Sequence, residues 1–156
     1  MASLEGWSST IELHPRAPGG SNESRARPRI LRGVADSLYE EVGPSFFDSL
    51  VDAFYEVVAR DEILRPMYPD ELTDAKRHLT LFLVQYWGGP PTYSHERGHP
   101  RLRLRHVPFA ITPAARDAWI AAMDVALDTV RDRVSTERLE ELRAYLTSVA
   151  RQLRNA

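Results

Sequence analysis

A histidine that follows three alternating arginines gives the strongest chemical signal in the sequence. His106 comes directly after Arg101, Arg103 and Arg105, and the apolar segment Val107-Pro108-Phe109 follows it. An imidazole flanked by apolar side chains can bind a metal through one ring nitrogen, and haem iron often takes a single histidine. The propionates of haem bind arginine. These residues alone leave two interpretations open: a binding site for an anionic macrocycle such as haem, or a core histidine beside solvated arginines.

Two further histidines suggest a different metal site. His95 and His99 are four residues apart, so a helix would align them, and His106 could complete a set of three zinc ligands. Gly98 and Pro100 argue against a continuous helix there. A zinc hydrolase would also need a carboxylate base, and none is evident at suitable spacing. The alternative is that His95 and His99 lie in turns or at the surface.

Three polar aromatic residues occur where a purely apolar residue would serve a core. They are Tyr55, Tyr68 and Trp119. Buried tyrosine and tryptophan usually need a partner for their polar hydrogen. Each of the three could bond to a backbone carbonyl. Together they could instead donate hydrogen bonds to a ligand in a pocket.

Helices must position these side chains, because the apolar residues recur with helical spacing. Four segments have this period: 45–60, 74–87, 113–131 and 136–153. Ser45, Thr112-Pro113 and Ser135 read as helix starts, and Asp36 reads as the cap of a short helix that ends at Val42. These features predict an all-α domain.

The stretch 85–109 interrupts the helical pattern and is dense in Gly, Pro, His and Arg. Long irregular segments inside compact domains are usually functional. Within it, the Arg/Leu alternation of 101–107 suits an edge strand, while Pro100 could equally start a helical turn. We favour the helical turn, because the sequence offers no partner strand.

The composition restricts the function further. The chain has 156 residues, a formal net charge of −2 and no cysteine. A near-neutral charge argues against nucleic-acid binding, and the lack of cysteine excludes thiolate-ligated zinc and iron–sulfur clusters. No signal peptide is seen, and no apolar run approaches the ~20 residues of a membrane span, which predicts a cytoplasmic protein. Residues 1–34 have the composition of a disordered extension, so the domain is expected at 35–156.

The stretch 85–109 resembles the corresponding part of the group II truncated haemoglobins of the actinobacterial type. The similarity rests on Tyr86-Trp87-Gly88-Gly89-Pro90, on Tyr93 and on the run Arg97 to Phe109. It also covers four shorter motifs, namely Ala53-Phe54-Tyr55, Asp61-Glu62-Ile63-Leu64, Met67-Tyr68-Pro69 and Arg116-Asp117-Ala118-Trp119. The resemblance implies a shortened globin fold, a two-over-two helical sandwich around haem b, with 85–109 as a mostly irregular loop and a short proximal helix.

The resemblance also implies roles for individual residues. His106 is expected as the proximal ligand of a five-coordinate haem iron. The distal residues that stabilise a bound ligand would be Tyr55, Tyr68 and Trp119. The distal lining would be Ala75, Leu79 and Phe82, and Ala75 leaves room without offering a donor. The residues expected at the propionates are Arg77, Arg101, Arg103, Arg105 and Tyr93.

The implied function is the binding of dioxygen and other diatomic ligands, with slow release. Oxygen transport is one expectation, but a protein that holds its ligand tightly makes a poor carrier. Redox chemistry on nitric oxide or peroxide is the usual proposal for this group, which leaves a nitric oxide dioxygenase or peroxidase-like reaction open. A reductase partner and a homodimer are further expectations. The competing interpretation is a cofactor-free helical module that binds another protein.

Overall fold

The computed structural model describes residues 37–156, and this part of the chain forms helices without any strand. Its α-helices are α1 Leu38–Val42, α2 Pro44–Val58, α3 Thr73–Tyr86, α4 Thr92–Arg97, α5 Leu102–His106, α6 Pro113–Val130 and α7 Thr136–Leu153. Short 3-10 turns lie at Arg65–Met67 and Arg131–Arg133. None of the helices in this part is long and apolar enough to cross a membrane. The predicted extension 1–34 lies outside the described residues, and so does Asp36. The predicted cap at Asp36 is wrong, because the Ser37 hydroxyl caps α1 by accepting a hydrogen bond from the Glu40 N–H at 3.2 Å.

Four long helices form the sandwich. Helix α2 packs against α3 and α6, and α6 packs against α7. The apolar faces of these helices meet in one core, whose largest fully buried side chains include Phe46, Phe47, Phe54, Leu50 and Met123. The predicted all-α class and the two-over-two arrangement are confirmed.

Two of the predicted helix starts are confirmed in atomic detail. The Thr112 hydroxyl accepts a hydrogen bond from the Ala115 N–H at 3.1 Å, one residue before the proline that opens α6. The Ser135 hydroxyl accepts from the Arg138 N–H at 3.3 Å and so caps α7. Each side chain satisfies one N–H group that the first helical turn leaves without a partner.

The predicted cap at Ser45 is wrong, because α2 begins one residue earlier. Pro44 is the first helical residue, and Gly43 precedes it with a φ of 75°. The fixed φ of proline suits the first helical position, and proline has no N–H group there to satisfy. The Ser45 hydroxyl instead accepts a hydrogen bond from Arg133 Nη2 at 3.0 Å. The residue thus ties α2 to the turn before α7.

Helix α3 ends against α1 at two glycines that leave no room for a side chain. Gly88 has a φ of 102°, and a Cβ on it would lie 2.5 Å from the Ser37 Cβ. A Cβ on Gly89 would lie 2.8 Å from a ring carbon of Tyr39. These contacts explain the glycine pair physically: the turn after α3 runs directly over the start of α1.

The stretch 85–109 is more ordered than predicted, since it contains α4 as well as α5. The helical interpretation of 101–107 is confirmed, and the edge strand is not formed. Gly98, with a φ of 74°, ends α4 at Arg97. His95 therefore lies in α4 and His99 beyond its end, so a continuous helix does not align the two histidines.

Candidate functional site

A cavity of about 380 Å³ lies inside the sandwich. Every helix from α2 to α7 contributes residues to its wall, and most of these are apolar. Both the volume and the lining are typical of sites that bind a small molecule or a cofactor. The polar groups on the wall decide what the cavity could bind.

His106 is the last residue of α5, and its side chain lines the cavity. Its Nδ1 lies 2.5 Å from the carbonyl oxygen of Leu102. A carbonyl only accepts hydrogen bonds, so Nδ1 carries the ring proton and Nε2 keeps a lone pair. Burial lowers the pKa of His106, while the bond to Leu102 opposes that fall. The imidazole is therefore neutral at pH 7, which is the form that binds a metal.

Arg105 holds the loop that leads into α5. Its Nε donates to the Pro100 carbonyl at 2.8 Å, and its Nη2 donates to the Arg97 carbonyl at 2.7 Å. The guanidinium also lies 5.8 Å from the centre of the buried Tyr93 ring. Arg101, the residue before α5, has a φ of 41°, in the left-handed region that non-glycine residues seldom adopt. These contacts fix the start of the short helix that ends in His106.

Tyr55, Tyr68 and Trp119 reach the cavity from three different segments of the chain. The Tyr55 and Tyr68 rings meet edge to face, with centroids 5.6 Å apart. Phe54 lies behind them, 5.1 Å from the Tyr55 ring and 5.4 Å from the Trp119 ring. The fold therefore brings the three predicted distal residues together, although 64 positions separate the first from the last.

Arg65 positions Tyr68 through the main chain. Its guanidinium donates to the carbonyls of Tyr68, Pro69 and Asp70 at 3.0 to 3.2 Å. Asp61 fixes the preceding turn, since its Oδ1 accepts from two successive backbone N–H groups at 2.8 and 2.9 Å. The segment around Tyr68 is irregular, but its hydrogen bonds give it a defined path.

Both distal tyrosines remain protonated over the physiological range. Burial raises the pKa of Tyr55, and the neighbouring Tyr68 adds to the rise. Burial raises the pKa of Tyr68 to about 12, while a hydrogen bond with the Trp119 side chain opposes the rise. The two phenols are therefore neutral hydrogen-bond donors at pH 7.

Helix α3 supplies the predicted distal lining. Ala75, Leu79 and Phe82 all contribute to the cavity wall, as their spacing of four and three residues on one helical face allows. The small Ala75 side chain adds no polar atom to the wall.

The residues predicted at the propionates divide into two groups. Arg105 and Tyr93 line the cavity. Arg77, Arg101 and Arg103 are not among the residues of its wall.

The wall also contains two arginines and a histidine that sequence reasoning missed. Arg97, His78 and Arg116 line the cavity. His78 follows Ala75 by three residues on α3, so helical spacing alone would have placed it on the same face. Arg97 ends a helix that was not predicted, and only its position in the stretch 85–109 pointed to it.

Three side-chain pairs join α3 to α4, and we call them the polar seam: Arg77 with Glu96, His78 with Arg97, and Gln85 with Ser94. Arg77 Nη2 lies 2.6 Å from Glu96 Oε1, and Arg97 Nη1 lies 3.0 Å from His78 Nε2. Burial and the nearby Arg97 charge lower the pKa of His78, so its Nε2 can accept from Arg97 at pH 7. The seam closes one side of the cavity with polar contacts.

The zinc alternative has no site in the part of the chain that is described. Within residues 37–156, no three His, Cys, Asp or Glu side chains lie close enough to hold a metal ion. His95 and His99 are exposed, whereas His106 lines the cavity.

Comparison with known proteins identifies the family. Residues 37–155 match the family described as bacterial-like globin. The group 2 truncated haemoglobin of Bacillus subtilis is 49% identical over 92 residues, which are 59% of this chain and 70% of that protein. This chain belongs to the group II truncated haemoglobins.

Solved structures of other truncated haemoglobins have the same fold. A thermostable haemoglobin from the actinobacterium Thermobifida fusca has a TM-score of 0.74 and 44% identity, covering 77% of this chain and 98% of that one. A truncated oxygen-avid haemoglobin from Bacillus subtilis has a TM-score of 0.72 and 44% identity, covering 76% and 99%.

Membership of the truncated haemoglobins implies haem-based oxygen binding, and the cavity residues fit a haem. The wall is largely apolar, as a porphyrin needs. It contains one neutral imidazole with a free ring nitrogen at His106. Arg97, Arg105 and Arg116 on the same wall could bind carboxylates.

Proposed function

We propose that this truncated haemoglobin binds haem b in the cavity through His106 and holds dioxygen there with slow release. One observation carries the proposal. A single cavity is lined both by a neutral histidine and by the polar aromatics Tyr55, Tyr68 and Trp119. The chemistry that haem supplies when bound is an iron that takes up diatomic gases.

His106 would be the iron ligand, because its ring is already oriented and in the correct tautomer. The Leu102 carbonyl engages Nδ1, and this leaves Nε2 for the metal. A histidine that binds a metal usually donates its other N–H in this way, which raises the basicity of the ligating nitrogen.

Tyr55, Tyr68 and Trp119 would slow the release of dioxygen by donating hydrogen bonds to it. The phenols are neutral donors on a largely apolar wall, and interactions with partial charge are stronger there than in bulk water. One such bond contributes roughly 0.5–1.5 kcal/mol, and more where charge is involved. Two or three together would slow release about a hundredfold, since roughly 1.4 kcal/mol is a factor of ten. The structural neighbour from Bacillus subtilis is described as oxygen-avid, in agreement with this proposal.

A protein that releases oxygen slowly makes a poor carrier and is better suited to redox chemistry on nitric oxide or peroxide. Such a reaction would take place in the cytoplasm, with a reductase as electron donor. The three distal donors would polarise the ligand for such a reaction. A cofactor-free interaction module would leave both the cavity and the orientation of His106 without a purpose.

A visible spectrum of the purified protein tests the proposal directly. We expect a Soret band that shifts when dithionite and then carbon monoxide are added. A colourless protein that also fails to take up added haemin would contradict haem binding.

Replacing Arg97 by glutamine should speed the loss of haem about fivefold, as expected for one partly exposed ion pair of about 1 kcal/mol. Arg97 lines the cavity, as Arg105 does, so we propose that it binds a propionate. Haem transfer to an excess of apomyoglobin measures the rate. Arg101→Gln is the matched control, since Arg101 does not line the cavity. Equal rates in the two variants would assign the propionates to other residues.

A further inference from the structure

Asn155, two residues beyond the end of α7, joins the chain directly after the proposed iron ligand. Its Nδ2 donates to the carbonyl of His106 at 3.2 Å and to that of Phe109 at 3.0 Å. Its Oδ1 accepts from the Ile111 N–H at 2.9 Å. One amide side chain thus bonds to three backbone groups between α5 and α6.

The backbone of the same segment adds two more bonds. The N–H groups of Asn155 and Ala156 lie 3.2 and 3.3 Å from the Ile111 carbonyl oxygen. Between His106 and Thr112 the described chain has few hydrogen bonds of its own, mainly the one from the Phe109 N–H to the His106 carbonyl at 3.0 Å. The path of this loop is therefore set largely by Asn155 and its neighbour.

We infer that Asn155 is a positioning residue for His106, an inference that rests on the proposed function. The last four carbonyls of a helix have no partner within it, and the His106 carbonyl is one of them. The Phe109 N–H gives this carbonyl one partner from the loop, and Asn155 supplies a second from beyond α7. The histidine is then held at two points: Leu102 fixes its ring, and Asn155 fixes its main chain. Loss of the second point leaves the ring free to tilt with the end of α5.

Removing the Asn155 side chain should have only a local structural effect. Asn155 is exposed and contributes nothing to the apolar core, and its three side-chain hydrogen bonds all go to the segment from His106 to Ile111. Its removal should therefore change the geometry at the iron ligand while the sandwich of long helices persists.

Two variants separate the role of the Asn155 Nδ2 group, which donates, from that of its Oδ1 atom, which accepts. Asn155→Ala removes all three side-chain bonds. Asn155→Asp keeps an oxygen for the Ile111 N–H but places a carboxylate oxygen against the carbonyls of His106 and Phe109. Gln152→Ala is the matched control, because that amide bonds only to Ser148 on its own helix.

The readouts are the iron–histidine stretching band in resonance Raman spectra of the ferrous protein and amide hydrogen exchange of the haem-free protein. In Asn155→Ala we expect a shifted band and about tenfold faster exchange at Ile111 and Phe109. In Asn155→Asp we expect a shifted band with the Ile111 amide still protected. Gln152→Ala should change neither readout.

The possible failures can be told apart. A wild-type protein that carries haem, together with an unchanged band in both Asn155 variants, would overturn the positioning role alone. A lower melting temperature without a band shift would do the same, because it would mean that Asn155 only adds stability. A wild-type protein without haem, or with an iron–histidine band that survives in His106→Gly, would overturn the proposed function and this inference with it.

Discussion

Replacing His106 by glycine should speed the loss of haem by at least about a hundredfold and remove the iron–histidine band. Changing a residue that merely supports a metal ligand costs about 10- to 100-fold in affinity, so loss of the ligand itself should cost more. The variant would retain the apolar cavity wall and its arginines, so weak haem binding should persist. Haem transfer to apomyoglobin and resonance Raman spectra of the ferrous protein measure the two effects.

Imidazole in the buffer should partly restore haem retention in the His106→Gly variant, because it can enter the space that the histidine side chain leaves. The matched control is His95→Gly, since His95 is exposed on α4 and does not line the cavity. A His106→Gly protein that keeps haem as tightly as the wild type would assign the iron to a different ligand.

Replacing Trp119 by phenylalanine should speed oxygen release roughly 3- to 10-fold, and the same change at Tyr55 should act similarly. Each variant removes one donor, which contributes roughly 0.5–1.5 kcal/mol. Phenylalanine keeps an aromatic ring against Phe54 at both positions, so Tyr55→Phe changes packing little, whereas Trp119→Phe also removes one ring of the indole. Combining the two changes should speed release more than either alone. Stopped-flow mixing of the oxygenated protein with dithionite or carbon monoxide measures the rate.

Tyr39→Phe is the control for the distal variants, because Tyr39 packs at α1 and does not line the cavity. Neighbouring donors are coupled, so the combined effect need not equal the product of the single ones. Oxygen release at the wild-type rate in both single variants would contradict the distal role. The cavity would then owe its ligand retention to its apolar wall.

Local signals explain why the helices were predictable. Thr112 and Ser135 cap helices through hydrogen bonds to residues only three positions along the chain. The spacing of the apolar residues indicates which face of each helix is buried. The error at Ser45 was also local, since both Ser45 and Pro44 are good starting residues. His106 stood out because its neighbours are unusual in composition.

Contacts distant in sequence explain what could not be predicted. Arg97 meets His78 across 19 positions, and Asn155 meets the His106 carbonyl across 49. Nothing in the residue type of Asn155 distinguishes it from an ordinary polar residue near the end of a helix. The resemblance to the truncated haemoglobins predicted which residues to expect on the distal side, but it contained no information on this pairing.

The polar seam has a consequence for how the protein acquires its cofactor. Exposed ion pairs contribute little free energy and are weakened by salt, so the Arg77–Glu96 pair adds little to the junction of α3 and α4. The buried Tyr93 ring, 5.8 Å from the Phe82 ring, is the main apolar contact that would have to open there. The apolar core between α2 and α6 would stay closed during such an opening. If haem binds as proposed, it would enter past α4 after the chain has folded, and the contacts between α3 and α4 would close behind it. Maturation would require no unfolding of the sandwich.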